Sequence, residues 1–270
     1  MSTKLSSTKI SNMSRNKRIL HELLEISKNN YEGIYIGECN EQFDKWEVLI
    51  MGPSDTPYEW GYFFFLLEFP EQYPHKSPRV TFKTTTSNIR FNPNLYSNGK
   101  VCLSILGTWH GPIETKWNSG RTAIEVLLQI QTHIFIPDPF YNEPGMGSRP
   151  ITDSIKYNLI IEFHKFDYAI YYMLKNPIFP QFYEIMKEHY ELNKTDIFSK
   201  LYFLNNNIDK MYNEYGILFN NAPCINVQYV TQTHNIHIVY SRILNKLENL
   251  NLNEKAKPNE NEKAKPNENE

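Results

Sequence analysis

The chain has 270 residues, a formal net charge of −2, and 40% hydrophobic and 14% aromatic residues. A near-neutral balance argues against nucleic-acid binding, which goes with a basic excess. No apolar run reaches the roughly 18 residues a membrane helix needs, so neither nucleic acid nor membrane is an expected partner.

Three cysteines, Cys39, Cys102 and Cys224, lie far apart with no CxxC. That supports neither a disulfide framework nor a cysteine zinc site and fits a reducing compartment. The opening MSTKLSSTKI lacks the long apolar segment of a secretory leader. A cytoplasmic location is expected, with the nucleus also open; for a viral source this would be the host cytoplasm.

Residues 1–14 are polar and read as a flexible lead-in. From Arg15 to Lys28 the spacing of Ile19, Leu20, Leu23, Leu24 and Ser27 predicts an amphipathic helix. Arg15, Lys17 and Arg18 fall at its start, where cations oppose the helix dipole. They are either a solvated end or a partner-binding patch. Four strand-like runs follow, Gly33–Cys39, Lys45–Met51, Gly61–Phe69 and Arg79–Lys83, separated by Gly52-Pro53, Pro70 and Tyr73-Pro74. Connections this short predict an antiparallel meander.

Asn88–Leu106 is irregular, with turn signals at Asn92-Pro93-Asn94 and Asn98-Gly99. A helix is predicted over Ser119–Phe135, its buried face marked by Ala123, Val126, Leu127 and Ile130, and ended by Pro137 and Pro139. Further helices are predicted over Ile155–Leu174, Phe179–Leu192, Ile197–Tyr215 and Val239–Leu250. Residues 253–268 repeat the octapeptide NEKAKPNE; without large apolar side chains this tail is expected to be disordered.

A cysteine in an irregular segment suits a thiol reached by large partners, although a free cysteine is often only a small buried hydrophobe. Cys39 and Cys224 are read as such bystanders. Eight residues before Cys102 stands Asn94, in a tight turn behind Pro93. A primary amide beside a thioester can donate a hydrogen bond to the oxyanion formed during acyl transfer. His234 and His237 have no Cys or acidic residue beside them, so no metal site is expected.

The stretch from about Arg15 to Gly145 resembles a ubiquitin-conjugating (E2) catalytic domain. The matching pieces come in the family's order. They are the opening helix, Gly52-Pro53 with Asp55-Thr56-Pro57-Tyr58-Glu59, the Gly61–Phe69 strand, Phe69-Pro70 with Tyr73-Pro74 and Pro78, Asn92-Pro93-Asn94, Gly99-Lys100-Val101-Cys102-Leu103, and Trp117. The large Z-type branch and the E2 domain of giant inhibitor-of-apoptosis proteins are most similar. They share Cys102 to Trp109, Asn142-Glu143-Pro144-Gly145, and a loop after the cysteine, here His110 to Lys116.

The resemblance implies an α+β UBC fold at 15–175, with a helical C-terminal extension at 176–252 and the tail beyond. It implies that an E1 enzyme spends ATP to activate ubiquitin or a ubiquitin-like modifier, that Cys102 accepts it as a thioester, and that a substrate lysine or an E3 cysteine takes it away. No cofactor of the chain's own is implied. Asn94 becomes the oxyanion donor or a support of the loop. Asn92 stands where the family usually has a structural His, as it does in the Z-type branch. Asn142 and Glu143 fall near the acid that orients or deprotonates the incoming lysine in many E2s; Asn142 could orient but not act as base, and Tyr141 is an alternative that walls off water. Docking of an E3 in the family uses the first helix and two loops that here carry His75, and Asn118 with Ser119, in place of the large apolar residue and the Ser-Pro-Ala of many RING-responsive members. An inactive E2-like binding module and a Cys-His hydrolase are the alternatives; the first would lack the cysteine, the second would need a poised His.

Overall fold

No glycine or proline interrupts residues 2–28, and in the computed structural model they form a single helix, α1 (Ser2–Lys28). The structure describes residues 2–37, 43–86, 89–214, 224–225, 236–237 and 239–252; Cys39, His234 and the tail at 253–270 fall outside these. The helix thus begins thirteen residues before Arg15, inside the expected lead-in. Ile19 and Glu22 are buried on one face, while Leu20 and Leu24 face outward.

Strands β1 (Ile34–Ile36), β2 (Lys45–Met51), β3 (Tyr62–Glu68) and β4 (Arg79–Phe82) pair in chain order as an antiparallel sheet. The expected meander holds, with β2 at the predicted bounds and β3 and β4 within a residue of theirs. Side chains alternate across a strand, and β3 carries apolar residues on both faces. On one face Phe63 and Phe65 meet Phe135, at ring distances of 4.6 and 6.3 Å. On the other, Phe64 meets Phe179 at 5.7 Å and Phe182 at 6.1 Å, and the Tyr62 hydroxyl donates to the Met186 carbonyl at 2.9 Å. The register pairs Tyr62 with Met51 and Phe64 with Leu49, so β2 is covered there too.

The layer on the first face is α2 (Ala123–Gln129). Thr122 caps it, its hydroxyl accepting from the Glu125 amide, a T-x-x-E capping arrangement. The helix therefore starts four residues after the predicted Ser119, because Asn118 and Gly120 form a turn through the Asn118 side chain. Its last turn, Ile130–Ile134, widens to π-helical, with Phe135 N bonded to Ile130 O at 3.1 Å.

The second face is covered by helices from the C-terminal half. A helical run made of α3 (Ile151–His164), a π-helical stretch at Lys165–Tyr172 and α4 (Met173–Lys175) is followed by α5 (Tyr183–Glu214). Two separate helices were expected over 179–215. The Asn193-Lys194-Thr195-Asp196 link contains no breaker, and α5 runs through it. After the β5–β6 pair (Cys224–Ile225 and Ile236–His237), α6 (Tyr240–Glu248) buries Tyr240, Ile243, Leu244 and Leu247, spaced as one helical face. All these residues join one continuous core with the sheet. The expected division at 175/176 therefore does not separate two cores.

Candidate active site

The segment before Cys102 is built by its own side chains. The Asn92 Oδ1 accepts from the Asn94 amide at 2.8 Å, and the Asn92 carbonyl accepts from the Leu95 amide at 2.9 Å, closing the turn around Pro93. Asn92 is fully buried, and its Nδ2 donates to the Tyr58 hydroxyl at 2.9 Å and the Ile134 carbonyl at 2.7 Å. It thus ties the turn to the end of α2, a structural part that an uncharged amide fills. Gly99, at φ +87°, lets the following turn pass the sheet: a Cβ there would sit 2.9 Å from the Phe82 carbonyl.

Asn94 and Cys102 meet twice. The Cys102 amide donates to the Asn94 carbonyl at 2.9 Å, and Asn94 Nδ2 donates to the Cys102 carbonyl at 2.8 Å. The Asn94 Oδ1 is buried with no hydrogen-bond partner among the described residues. Behind Cys102, the Thr108 hydroxyl donates to the Val101 carbonyl and accepts from the Leu103 amide. Backbone on both sides of the sulfur is thereby fixed. Burial pushes the Cys102 thiol above its ordinary range, while Lys100, Tyr96 and Arg90 pull it back. Arg90 lies over the Tyr96 ring at 4.4 Å, donates to the Pro93 carbonyl at 2.5 Å and comes 3.7 Å from Glu143. The contacts with Tyr96 and Pro93 lie inside the loop that Arg90 helps to shape.

Cys102 opens on a cleft of about 250 Å³ that Asn94, Ser104, Trp109, Gln129, His133 and Asn142 also line. The loop at 110–116 supplies Thr115 to the same wall. Arg121 pins that loop, donating to the carbonyls of Glu114 and Lys116. Of the residues assigned to the incoming lysine, Asn142 lies in the cleft and donates to the His133 carbonyl at 2.9 Å. Glu143 does not line it and faces Arg90. Tyr141 packs edge-on against Phe140, also outside the lining. His133 is the residue that sequence reading missed: one histidine in a helical pattern gives no sign of where it points. Among the described residues, no three His, Cys, Asp or Glu gather as metal ligands, and no helix is long and apolar enough to cross a membrane.

The residues assigned to partner docking fall into two groups. Of the three α1 cations only Lys17 is exposed. Arg15 is buried, and Arg18 bonds Glu22 at 2.5 Å and the Arg121 carbonyl at 2.8 Å. The three cations are not a patch at a helix start, because α1 continues to Ser2 and places them mid-helix. Glu22 also accepts from the Tyr73 hydroxyl and the Ala123 amide, which locks α1 to α2. His75, Asn118 and Ser119 are exposed, on loops joined by the Trp117 indole, which donates to the Pro74 carbonyl at 2.7 Å. His75 edges a wide groove of about 1000 Å³ together with Lys76, Arg79, Lys100 and Lys116.

The family model for ubiquitin-conjugating enzymes matches residues 18–148, from α1 through the cysteine loop and past Asn142. The chain belongs to the ubiquitin-conjugating enzyme family. Its α+β architecture is the UBC fold of that family, enlarged at the C-terminus. A probable ubiquitin-conjugating enzyme, protein 17 of Caenorhabditis elegans, is 43% identical over 212 residues, covering 75% of this chain and 29% of that protein. The ubiquitin-conjugating enzyme E2 Z of Xenopus tropicalis is 42% identical over 160 residues, covering 58% of this chain and 50% of that protein. The human dual E2 ubiquitin-conjugating enzyme/E3 ubiquitin-protein ligase BIRC6 is 36% identical over 197 residues, covering 69% of this chain and 4% of that protein. The chain thus spans at most about half the length of these curated relatives.

Proposed function

We propose that the protein is an active E2. It takes ubiquitin, or a ubiquitin-like modifier, from an E1 as a thioester on Cys102 and passes it to a substrate lysine or an E3. The observation that carries this reading is Cys102 at the floor of an open cleft, its carbonyl held by the Asn94 side chain.

The chemistry follows from the atoms. The Cys102 thiolate attacks the E1-bound thioester, the E1 thiol leaves, and the C-terminal acyl group of the modifier moves to Sγ. A thiolate is a good leaving group, so an amine completes the second transfer without a strong acid. ATP is consumed by the E1 alone, and no cofactor is needed by this chain. Asn94 supports the loop through Cys102 O, and the second hydrogen of its Nδ2 remains to meet the oxyanion. The exposed apolar side chains Leu20 and Leu24 beside Lys17 on α1, and the joined loops carrying His75, Asn118 and Ser119, are the surfaces for E1 and E3.

Incubation with E1, ATP and modifier, followed by a gel without reductant, tests the reading. A higher-mass adduct is expected that dithiothreitol removes and Cys102→Ala abolishes. If no pairing of E1 and modifier yields an adduct, the protein is an inactive binding module instead.

A further inference from the structure

The amine side of the cleft lacks an acid. Asn142 carries an amide, which takes up no proton near neutral pH, and its Nδ2 is already given to the His133 carbonyl. Glu143 is turned to Arg90. The lining of the cleft contains two titratable side chains, Cys102 and His133. Lys100, Arg90 and Glu143 act on Cys102 but do not line it, and Asp138, after the π-helical turn, accepts from Ser154.

The hydrogen bonds around His133 define its tautomer. The Thr132 hydroxyl lies 2.8 Å from the Leu128 carbonyl and 2.8 Å from His133 Nδ1. A hydroxyl has one proton. The carbonyl can only accept, so that proton goes to Leu128, and the Thr132 oxygen accepts from Nδ1–H. Nε2 then carries the lone pair. No described residue bonds to Nε2, and the side chain is exposed at the cleft. The π-helical turn that holds His133 is pinned twice at its C-terminal end, Asn142 holding the His133 carbonyl and Asn92 the Ile134 carbonyl.

We propose that His133 is the general base for transfer to lysine. The proposal rests on the reading of Cys102 as the thioester carrier. A neutral lysine amine attacks the thioester carbon, and its nitrogen becomes acidic as the C–N bond forms. His133 Nε2 takes that proton. The C–S bond breaks, its electron pair returns to Sγ, and the imidazolium delivers the proton to the thiolate. The products are the isopeptide, the Cys102 thiol and neutral His133, so atoms and charge balance. Attack by a thiolate, as from an E3 cysteine, brings no N–H proton and does not need the base.

The test uses the full chain, charged with modifier before the E1 is stopped. Thioester loss is then followed with free lysine and, separately, with a small thiol, from pH 6 to pH 9, for wild type, His133→Gln and His133→Ala. Charging and discharge to thiol are expected to be unchanged. Discharge to lysine is expected to fall by about a hundredfold in both variants at pH 8. Equal lysine discharge in all three proteins overturns the proposal. So does equal slowing with lysine and thiol, which would mark a purely structural role. Failure of wild type to charge would instead overturn the thioester reading.

Discussion

Asn94 and Cys102 form a mutual clasp eight residues apart, and the clasp explains why an amide stands there. An aspartate would set a carboxylate against the Cys102 carbonyl, and an alanine would leave that carbonyl without its side-chain donor. Asn94→Ala is expected to lower stability by about 1 kcal/mol and to slow charging of Cys102 as well as discharge to lysine. Thermal melting and single-turnover assays separate the two effects. A variant that melts like wild type yet fails in transfer would leave Asn94 with the oxyanion alone. The raised thiol of Cys102 bears on the same step. Less thiolate is present at neutral pH, and Lys100, Tyr96 and Arg90 limit that loss.

At the level of elements, the π-helical stretch after α3 holds a buried cation. Lys165 is 1% exposed, with Nζ 5.3 Å from the Trp60 ring centre and 3.9 Å from that of Phe166. Burial lowers its pKa to about 8. The unfolded chain keeps this proton up to about pH 10.4. Folding therefore confines a charge below pH 8, and stability rises as pH climbs from 8 towards 10. The full cost is about 3 kcal/mol, offset in part by about 1 kcal/mol of cation–π attraction. Lys165→Met is expected to stabilise the protein by about 2 kcal/mol at pH 7, the gain vanishing near pH 10. Urea midpoints at the two pH values check this; a gain independent of pH would mean that packing rather than charge is responsible.

For the whole molecule, the C-terminal helices are part of the sheet's core. Phe179, Phe182 and Met186 cover the face of β3 that carries Tyr62 and Phe64, and the Tyr62 hydroxyl ends on the Met186 carbonyl, 124 residues away in sequence. Each large side chain uncovered costs about 2 kcal/mol. A chain ending at Lys175 is expected to lose most of its stability or to aggregate, and one ending at Leu252 to unfold like the full protein. Matching urea midpoints for the Lys175 chain and the full protein would contradict a shared core. Phe91, in the segment before Cys102, packs on Phe63, on the face of β3 opposite Tyr62 and Phe64, so truncation should act on activity through stability.

What the sequence determined by itself was local. Strand-like runs separated by Gly and Pro turn-formers located the four strands, and the Asn92-Pro93-Asn94 turn with its cysteine stood out as a site because turn chemistry is written in neighbouring residues. The T-x-x-E at Thr122 was equally legible, and would have corrected the start of α2. Tertiary structure alone decided the rest. Arg18 reads as a docking cation until Glu22 and the Arg121 carbonyl, 103 residues on, take its bonds. The apolar run on β3 needs a cover on both faces, but no periodicity says that residues 179–186 supply the second. His133 reaches the Cys102 cleft only through a widened turn fixed by Asn92 and Asn142. These contacts join residues distant in sequence, where pairing is set by packing and hydrogen-bond satisfaction in three dimensions, which no local pattern encodes.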